Sequence, residues 1–479
     1  MVNTEIHGHF QKNNRIAGWF TAALILLILM LRVPFLTADC ISLDEPFMLY
    51  HSQKSWSGLW DMLRDENNPP LYFLFMHFWI KLFGTGAFFA RLPSLIFSVL
   101  GAVVLFRTGF RFFSLRTGII AALICAGSTF HMYYAHDARV YALFFLLSAC
   151  SLHYFLEFII EKKGSASILM LAISNILVCY SHFFGFVVIA SQVICLLLIP
   201  SLRINIKNYS IVLLSLIAAY SFYFPVLFHR FIQSKGGTWI QKPVFSDLYN
   251  MLWIFTNVPV VTFLAIIVLF IGFYKSAFGK RRTEKEKVII ISFLFSLLIP
   301  FIISFFIPVF IDRYFIFITA FYYSILSFTL DSLFPKNLFG WIAALALPAA
   351  MIATLNLNPS KKRNIEALVM KLKSVESPGQ MILISPAWLD LNFVYYYRPE
   401  WFNNVNNLKE ELNRNNIYTI NDAGQLPADF AGASSVLFVI ESPSIPTSIE
   451  EDLVILKKEF PQMQEFTFRE NLHLYRLSR

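Results

Sequence analysis

The chain has 479 residues, of which 57% are hydrophobic, 17% aromatic and only 14% charged, and its mean hydropathy is +0.60. A soluble chain carries charge on about a quarter of its residues, so a wholly soluble protein is excluded and a membrane solvent is implied. The formal net charge of +9 falls in short groups between apolar runs, not in one aromatic-laced stripe, which argues against a nucleic-acid partner.

A transmembrane helix needs about 20 mostly apolar residues. Runs of this kind predict about eleven spans, over 16–36, 88–106, 118–131, 140–160, 167–182, 184–199, 211–228, 248–273, 288–309, 314–333 and 338–355. The boundary at Phe183 is the least marked, because the apolar run is nearly continuous there. The stretch Leu36-Thr37-Ala38-Asp39-Cys40 is a poor lipoprotein cleavage site, since Asp39 stands where a small residue is needed, and the first span is read as an uncleaved helix. Of five cysteines, Cys125, Cys150, Cys179 and Cys195 lie inside apolar runs and Cys40 in a loop; no disulfide framework or metal spacing is present.

Orientation follows from Lys and Arg in short loops. With the N-terminus cytoplasmic, Lys12 and Arg15, then Arg107/Arg111/Arg116, Lys162/Lys163, Arg203/Lys207, the run from Lys275 to Lys287, and Lys336 all fall inside. An odd number of spans then places the tail outside. The expected organisation is an all-α polytopic membrane domain over 1–357, with amphipathic interfacial helices in its first outer loop over 39–83, followed by a small extracytoplasmic α/β domain over 358–479. In that tail Ile365, Leu368, Val369 and Leu372 follow helical spacing, 381–384 and 436–440 read as buried strands, and Thr447-Ser448-Ile449-Glu450 reads as a capping box. It has no glycine-rich phosphate loop.

The ionisable groups at span boundaries fall on one expected side. Asp44 and Glu45 follow the first span, Asp137 and Arg139 lie between the third and fourth, His182 between the fifth and sixth, and Asp312-Arg313 between the ninth and tenth. Each has a purely structural reading, as a solvated loop acid, a helix-ending ion pair, a hydrogen-bonded core histidine or an interface anchor. Together they suit group transfer on a phosphate-bearing lipid, where a carboxylate takes a proton from an acceptor hydroxyl and guanidinium groups neutralise a phosphate. Water-soluble nucleotide sugars are cytoplasmic, so an outward site needs a lipid-linked donor.

These residues carry a resemblance. Asp44-Glu45, Asn68-Pro69-Pro70-Leu71-Tyr72, Ala90-Arg91-Leu92-Pro93-Ser94, Tyr133-Tyr134-Ala135-His136-Asp137-Ala138-Arg139-Val140-Tyr141, Tyr180-Ser181-His182-Phe183-Phe184-Gly185 and Asp312-Arg313-Tyr314, in that order, resemble the C-type (GT-C) glycosyltransferases of the protein-mannosyltransferase and aminoarabinose-transferase superfamily. Two positions depart from the pattern: Asn68 stands where relatives often have a basic residue or histidine, and Asp137 where many have glutamate. The resemblance implies inverting transfer of one hexosyl or pentosyl group from a polyprenyl-phosphate donor to a lipid, glycan or protein acceptor on the outer face. It makes Asp44 the expected base with Glu45 its companion, and places Asp137, Arg139, His182, Arg313 and Tyr314 at the substrate. No cofactor or metal is required, because phosphate is already a good leaving group, and a divalent cation would be optional.

The alternative class is a multi-span transporter or lipid flippase. Transporters place their site near the midplane on broken helices, often in repeated halves, and no internal repeat is visible here. A sensor or assembly protein would leave the charged groups without a role. The Asn208-Tyr209-Ser210 glycosylation match falls on the cytoplasmic side and no retention signal is seen, which favours a bacterial inner membrane.

Overall fold

A computed structural model describes the chain except residues 1, 67, 162–164, 235–239, 279–281, 360–362, 405–406, 422–424, 428–429 and 442–455. In chain order the helices are α1 (Val2–Arg32), α2 (Glu45–Ser52), α3 (Trp56–Leu63), α4 (Leu71–Phe83), α5 (Ala87–Phe112), α6 (Leu115–Ala126), α7 (Thr129–Ala135), α8 (Tyr141–Glu161), α9 (Ser165–Ser181), α10 (Gly185–Leu198), α11 (Ile206–Tyr220), α12 (Phe224–Ser234), α13 (Ser246–Phe255), α14 (Pro259–Phe278), α15 (Glu284–Ile303), α16 (Ile318–Leu333) and α17 (Leu338–Ala353). The tail contributes α18 (Ile365–Val375), β1 (Met381–Ser385), α19 (Asp390–Tyr397), α20 (Pro399–Asn404), α21 (Leu408–Arg414), β2 (Ile417–Thr419), β3 (Ser435–Glu441), β4 (Gln462–Phe468) and β5 (Leu472–Ser478). Two compact units result: one of Met1–Leu36, Trp60–Phe75 and Arg91–Pro359, the other of Thr37–Leu59, Met76–Ala90 and Ser360–Arg479.

The first unit is helical. Every expected span falls on a helix or a helix pair, and the chain is a multi-pass integral membrane protein. Among the described residues, five helical stretches are individually long and apolar enough to cross a bilayer: Asn14–Phe35, Ala87–Phe112, Tyr141–Ile160, Pro200–Tyr220 and Glu284–Ile303. Two bent pairs raise this to seven, α6 with α7 at 63° and α13 with α14 at 100°. A count of eleven therefore draws on shorter apolar helices as well. Backbone satisfaction inside the chain is what makes helices the element of choice in hydrocarbon.

Both bends have identifiable causes. Ser128 caps α7 by accepting the His131 N–H, which restarts the helix in a new direction. Asn257 sits at φ +70, a left-handed conformation that Asn tolerates well. Its Nδ2 donates to the carbonyls of Gly127 (2.8 Å) and Met351 (2.9 Å), and its Oδ1 accepts the Thr129 N–H (2.8 Å). One side chain thus supplies the backbone groups that both breaks leave without helical partners. Elsewhere the helices pack closely through small residues: a Cβ on Gly109 would lie 2.6 Å from the Gly118 Cα, so α5 and α6 meet backbone to backbone.

The second unit is α/β. Its sheet has the order β2-β1-β3-β5-β4, with β1 parallel to β2 and β3 and with β5 antiparallel to β3 and β4. Leu383, Val436, Phe438, Ile440, Phe460 and Leu477 form its core. On α18, Ile365, Leu368, Val369 and Leu372 are all buried, as their spacing predicts. Strands β1 and β3 match the two expected strands, β1 one residue longer and β3 one residue longer at each end. Strands β2, β4 and β5 were not expected, and the capping box at 447–450 lies outside the described residues. The stretch expected to be interfacial forms α2, α3 and α4; on these helices Trp56, Phe78 and Leu82 are half exposed or more, as an amphipathic surface element requires.

Candidate active site

Three chain breaks in the helical unit bring together residues far apart in sequence. The first is the turn after α7, carrying Asp137 and Arg139, both buried; the Arg139 N–H bonds the Asp137 carbonyl at 2.7 Å. The second is the one-turn gap between α9 and α10, which holds His182. The third is the tight turn Asp312–Phe315 that precedes α16, where the Arg313 N–H donates to the Asp312 carboxylate at 2.7 Å.

His182 is the meeting point. Its ring stacks on Phe144 with centroids 4.8 Å apart, lies 4.9 Å from Tyr314 and 6.4 Å from Tyr141. Both Arg313 and Arg139 act on it electrostatically. Its Nδ1 accepts the Phe184 N–H at 3.1 Å, so the neutral ring carries its proton on Nε2 and can serve there as a donor. The Arg313 guanidinium stands 5.7 Å over the Tyr314 ring, a cation–π geometry that fixes the direction of its donors. Asp312 and Asp137 both act on the Tyr134 hydroxyl, and Tyr134 meets Tyr141 edge-on at 4.9 Å. Two guanidinium groups, two carboxylates and one imidazole thus share one aromatic-walled region. That combination can bind an oxyanion and hold a sugar ring against flat hydrophobic faces.

A layer behind these residues sets their position. Tyr72 and Ser94 share a hydrogen bond of 3.2 Å, and the Ser94 hydroxyl reaches the Arg139 carbonyl at 3.4 Å. His136 Nε2 donates to the Arg32 carbonyl at 2.8 Å, and Arg91 donates to the Leu36 carbonyl at 3.0 Å. The motif residues Tyr72, Arg91, Ser94 and His136 thus brace the chain. Asn68 is buried and its Nδ2 donates to Glu66 at 2.9 Å. Tyr134 and Tyr141 were named only as members of the motif that carries the resemblance, and Phe144 had no signal of its own, since the chain has 52 Phe and 20 Tyr.

Asp44 and Glu45 belong to the other unit. Asp44 stands at the N-cap of α2, and the Glu45 carboxylate, fully buried, accepts the Ser42 N–H at 3.3 Å. The structure thus joins Asp137, Arg139, His182, Asp312, Arg313 and Tyr314 within the helical unit, and builds Asp44 and Glu45 into one turn of the second. Among the described residues no three His, Cys, Asp or Glu side chains gather as a metal site would require.

These features define a polytopic membrane protein with the GT-C fold and a small C-terminal sheet domain. Residues 67–229, about a third of the chain, match the family model described as dolichyl-phosphate-mannose-protein mannosyltransferase. The matched range contains Asp137, Arg139 and His182. ArnT from Cupriavidus metallidurans in the apo state is similar with a TM-score of 0.60 at 12% identity, over 96% of this chain and 98% of that one. The same protein bound to undecaprenyl phosphate gives 0.61 at 12% identity, over 96% and 97%. An oligosaccharyltransferase from Archaeoglobus fulgidus, in complex with Zn and sulfate, gives 0.53 at 13% identity, over 93% of this chain and 72% of that one. At such identities the likeness is one of fold. No curated protein sequence matches the chain.

Proposed function

We propose that this protein is a membrane glycosyltransferase that moves a single sugar from a polyprenyl-phosphate donor to a lipid, glycan or protein acceptor on the outer face of a bacterial inner membrane. The observation that carries this reading is the grouping of Arg313, stacked 5.7 Å over Tyr314, with His182, whose ring lies 4.9 Å from Tyr314, in a fold shared with a protein solved with undecaprenyl phosphate bound; the buried Arg139 adds a second guanidinium in the same helical unit. A transporter has no comparable need for two guanidinium groups beside a stacking platform.

The chemistry is a single displacement. The acceptor oxygen attacks the anomeric carbon from the face opposite the phosphate, the carbon–oxygen bond to the phosphate breaks, and the configuration inverts. Asp44 takes the acceptor's proton, with Glu45 buried beside it as its companion. Polyprenyl phosphate departs with the bonding electrons, and Arg139 and Arg313 stabilise its charge; the His182 Nε2 proton can be donated to a sugar or phosphate oxygen. A charge clamp of this kind acts most strongly where water is excluded, and the burial of Arg139 and His182 supplies that condition.

The test is Asp44→Asn, assayed in membranes with a radiolabelled lipid-phosphate sugar donor. A base contributes roughly 10²–10⁴-fold, so transfer should fall by that factor while the protein stays folded and membrane-inserted. Unimpaired transfer would remove Asp44 from its role, and substrate flux with no glycosidic product would make the protein a transporter.

A further inference from the structure

Helices α14, α15 and α16 enclose a cavity of about 520 Å³ that no part of the proposed reaction uses. Its walls are hydrocarbon, including Phe273, Ile290, Leu294 and Ile325, and two cations, Arg282 and Lys287, stand among its lining residues. Phe273 and Leu294 are 68% and 46% exposed, so the cavity opens sideways, toward where lipid would lie. Its depth has a structural cause. At Gly272 a Cβ would fall 2.4 Å from the Thr329 methyl, so α14 and α16 touch there, and Thr329 forms part of the cavity lining.

The cations sit at one end, where α14 stops and α15 starts. Arg282 donates to the Gly272 carbonyl at 3.1 Å, which folds its guanidinium back along the end of α14. The neighbouring Glu286 is occupied by its own helix, its carboxylate accepting the Thr283 N–H at 2.7 Å as half of a capping box. Ile325 lies at the middle of α16 and Thr329 beyond it, whereas Arg313 precedes its first turn; at 1.5 Å of rise per residue the groove is separated from the proposed donor site by at least two turns of that helix.

A long apolar slot with fixed positive charge at one end is complementary to an amphiphile. A water-soluble anion gains nothing from the hydrocarbon walls, and an uncharged lipid gains nothing from the cations. Basic pockets between transmembrane helices select anionic headgroups in this way. We propose that this groove is a binding site for an anionic bilayer phospholipid, its phosphate between Arg282 and Lys287 and one acyl chain along Ile290, Leu294 and Ile325.

The full-length protein, purified in mild detergent, is titrated with phosphatidylglycerol, phosphatidylcholine or undecaprenyl phosphate, and bound lipid is read by native mass spectrometry. Phosphatidylglycerol should be retained in preference to phosphatidylcholine. Arg282→Gln with Lys287→Gln should weaken it about 30-fold, the combined effect of two surface cations. Should that double variant not fold, Leu294→Trp at the exposed rim fills the slot without touching charge and should displace the lipid equally. Equal retention of the two phospholipids, unchanged retention in both variants, or a loss in the double variant that falls on undecaprenyl phosphate instead of phosphatidylglycerol would each overturn the assignment.

Discussion

Leu43 is held at φ +60, a left-handed conformation that costs a residue with a Cβ roughly 1–2 kcal/mol, and the turn it shapes is the one that presents Asp44. The turn is fastened from α19: Asn392 Nδ2 donates to the Leu43 carbonyl at 3.1 Å, and the Ile41 N–H donates to the Tyr396 hydroxyl at 2.6 Å. Asn392→Ala should therefore lower kcat for sugar transfer about tenfold, with KM for the donor unchanged. Tyr395→Phe removes a bond from the same helix, to the Thr85 carbonyl at 2.9 Å, and should leave kcat alone; equal losses in both would reduce Asn392 to a stabilising role. Two residues earlier, burial raises the Asp390 carboxyl from its ordinary value to about 6, against the Leu391 N–H that lowers it. A raised carboxyl favours the protonated fold, so its contribution is complete below about pH 4 and is lost as pH rises through about 6. Asp390→Asn keeps the acceptor oxygen and removes the charge. Its unfolding temperature should exceed that of the parent at pH 7.5, by the equivalent of on the order of 1–3 kcal/mol, and should match it below pH 4 when followed by tryptophan fluorescence.

Four helices of the membrane unit are tied by a closed ring of polar side chains. The Ser151 hydroxyl donates to Asn175 Oδ1 (2.7 Å), Asn175 Nδ2 to Gln192 Oε1 (2.9 Å) and Gln192 Nε2 to Ser151 Oγ (2.7 Å), and the Tyr209 hydroxyl adds a bond to Gln192 Oε1 (2.8 Å). All four residues are buried, so α8, α9, α10 and α11 share one satisfied network. Gln192→Leu leaves the Asn175 amide and the Tyr209 hydroxyl without their acceptor and should cost about 1–2 kcal/mol. Adding Tyr209→Phe should cost less than the two single changes summed, in thermal unfolding of the detergent-solubilised protein. None of these four residues was picked out from the sequence, because isolated polar residues in apolar runs give hydropathy no direction. The spans themselves were legible, since about 20 apolar residues leave the backbone few options. The bends at Ser128 and Asn257 were not: the runs over 118–131 and 248–273 are continuous in hydropathy, and only the partners of Asn257 explain the break. Strand β4 was hidden for the opposite reason, its residues Gln462–Phe468 being mostly exposed and poor in apolar alternation. At the site, charged residues such as Arg139 and Arg313 stood out because a bilayer makes them costly. Of the aromatic wall, Tyr314 and Tyr141 were legible only through the motifs that carry the resemblance, and Phe144 was lost among lipid-facing rings of the same kind.

Across the membrane unit as a whole, charge is sorted by end. Helix α16 starts just after Asp312 and Arg313 and carries Asp331 in its last turn, where the buried Arg116 donates to the Asp331 carboxylate (2.5 Å) and to the carbonyls of Phe334 and Pro335 (2.7 Å each), with Lys336 at 2.6 Å from the same carboxylate. Helix α6 begins at that clamp, and α7 ends at the turn bearing Asp137 and Arg139. One end of the unit is therefore a basic structural clamp and the other holds the candidate site, as expected if excess Lys and Arg mark the cytoplasm. This sorting predicts which thiols a membrane-impermeant maleimide reaches in intact cells or spheroplasts. With Cys40 replaced by Ser and the four remaining cysteines inside apolar helices, a cysteine at Arg414, whose side chain is 72% exposed, should be labelled. One at Lys336, 64% exposed, should react only after the membrane is opened. The reverse pattern would turn the site toward the cytoplasm, where nucleotide sugars are available, and the reason for requiring a lipid-linked donor would go with it.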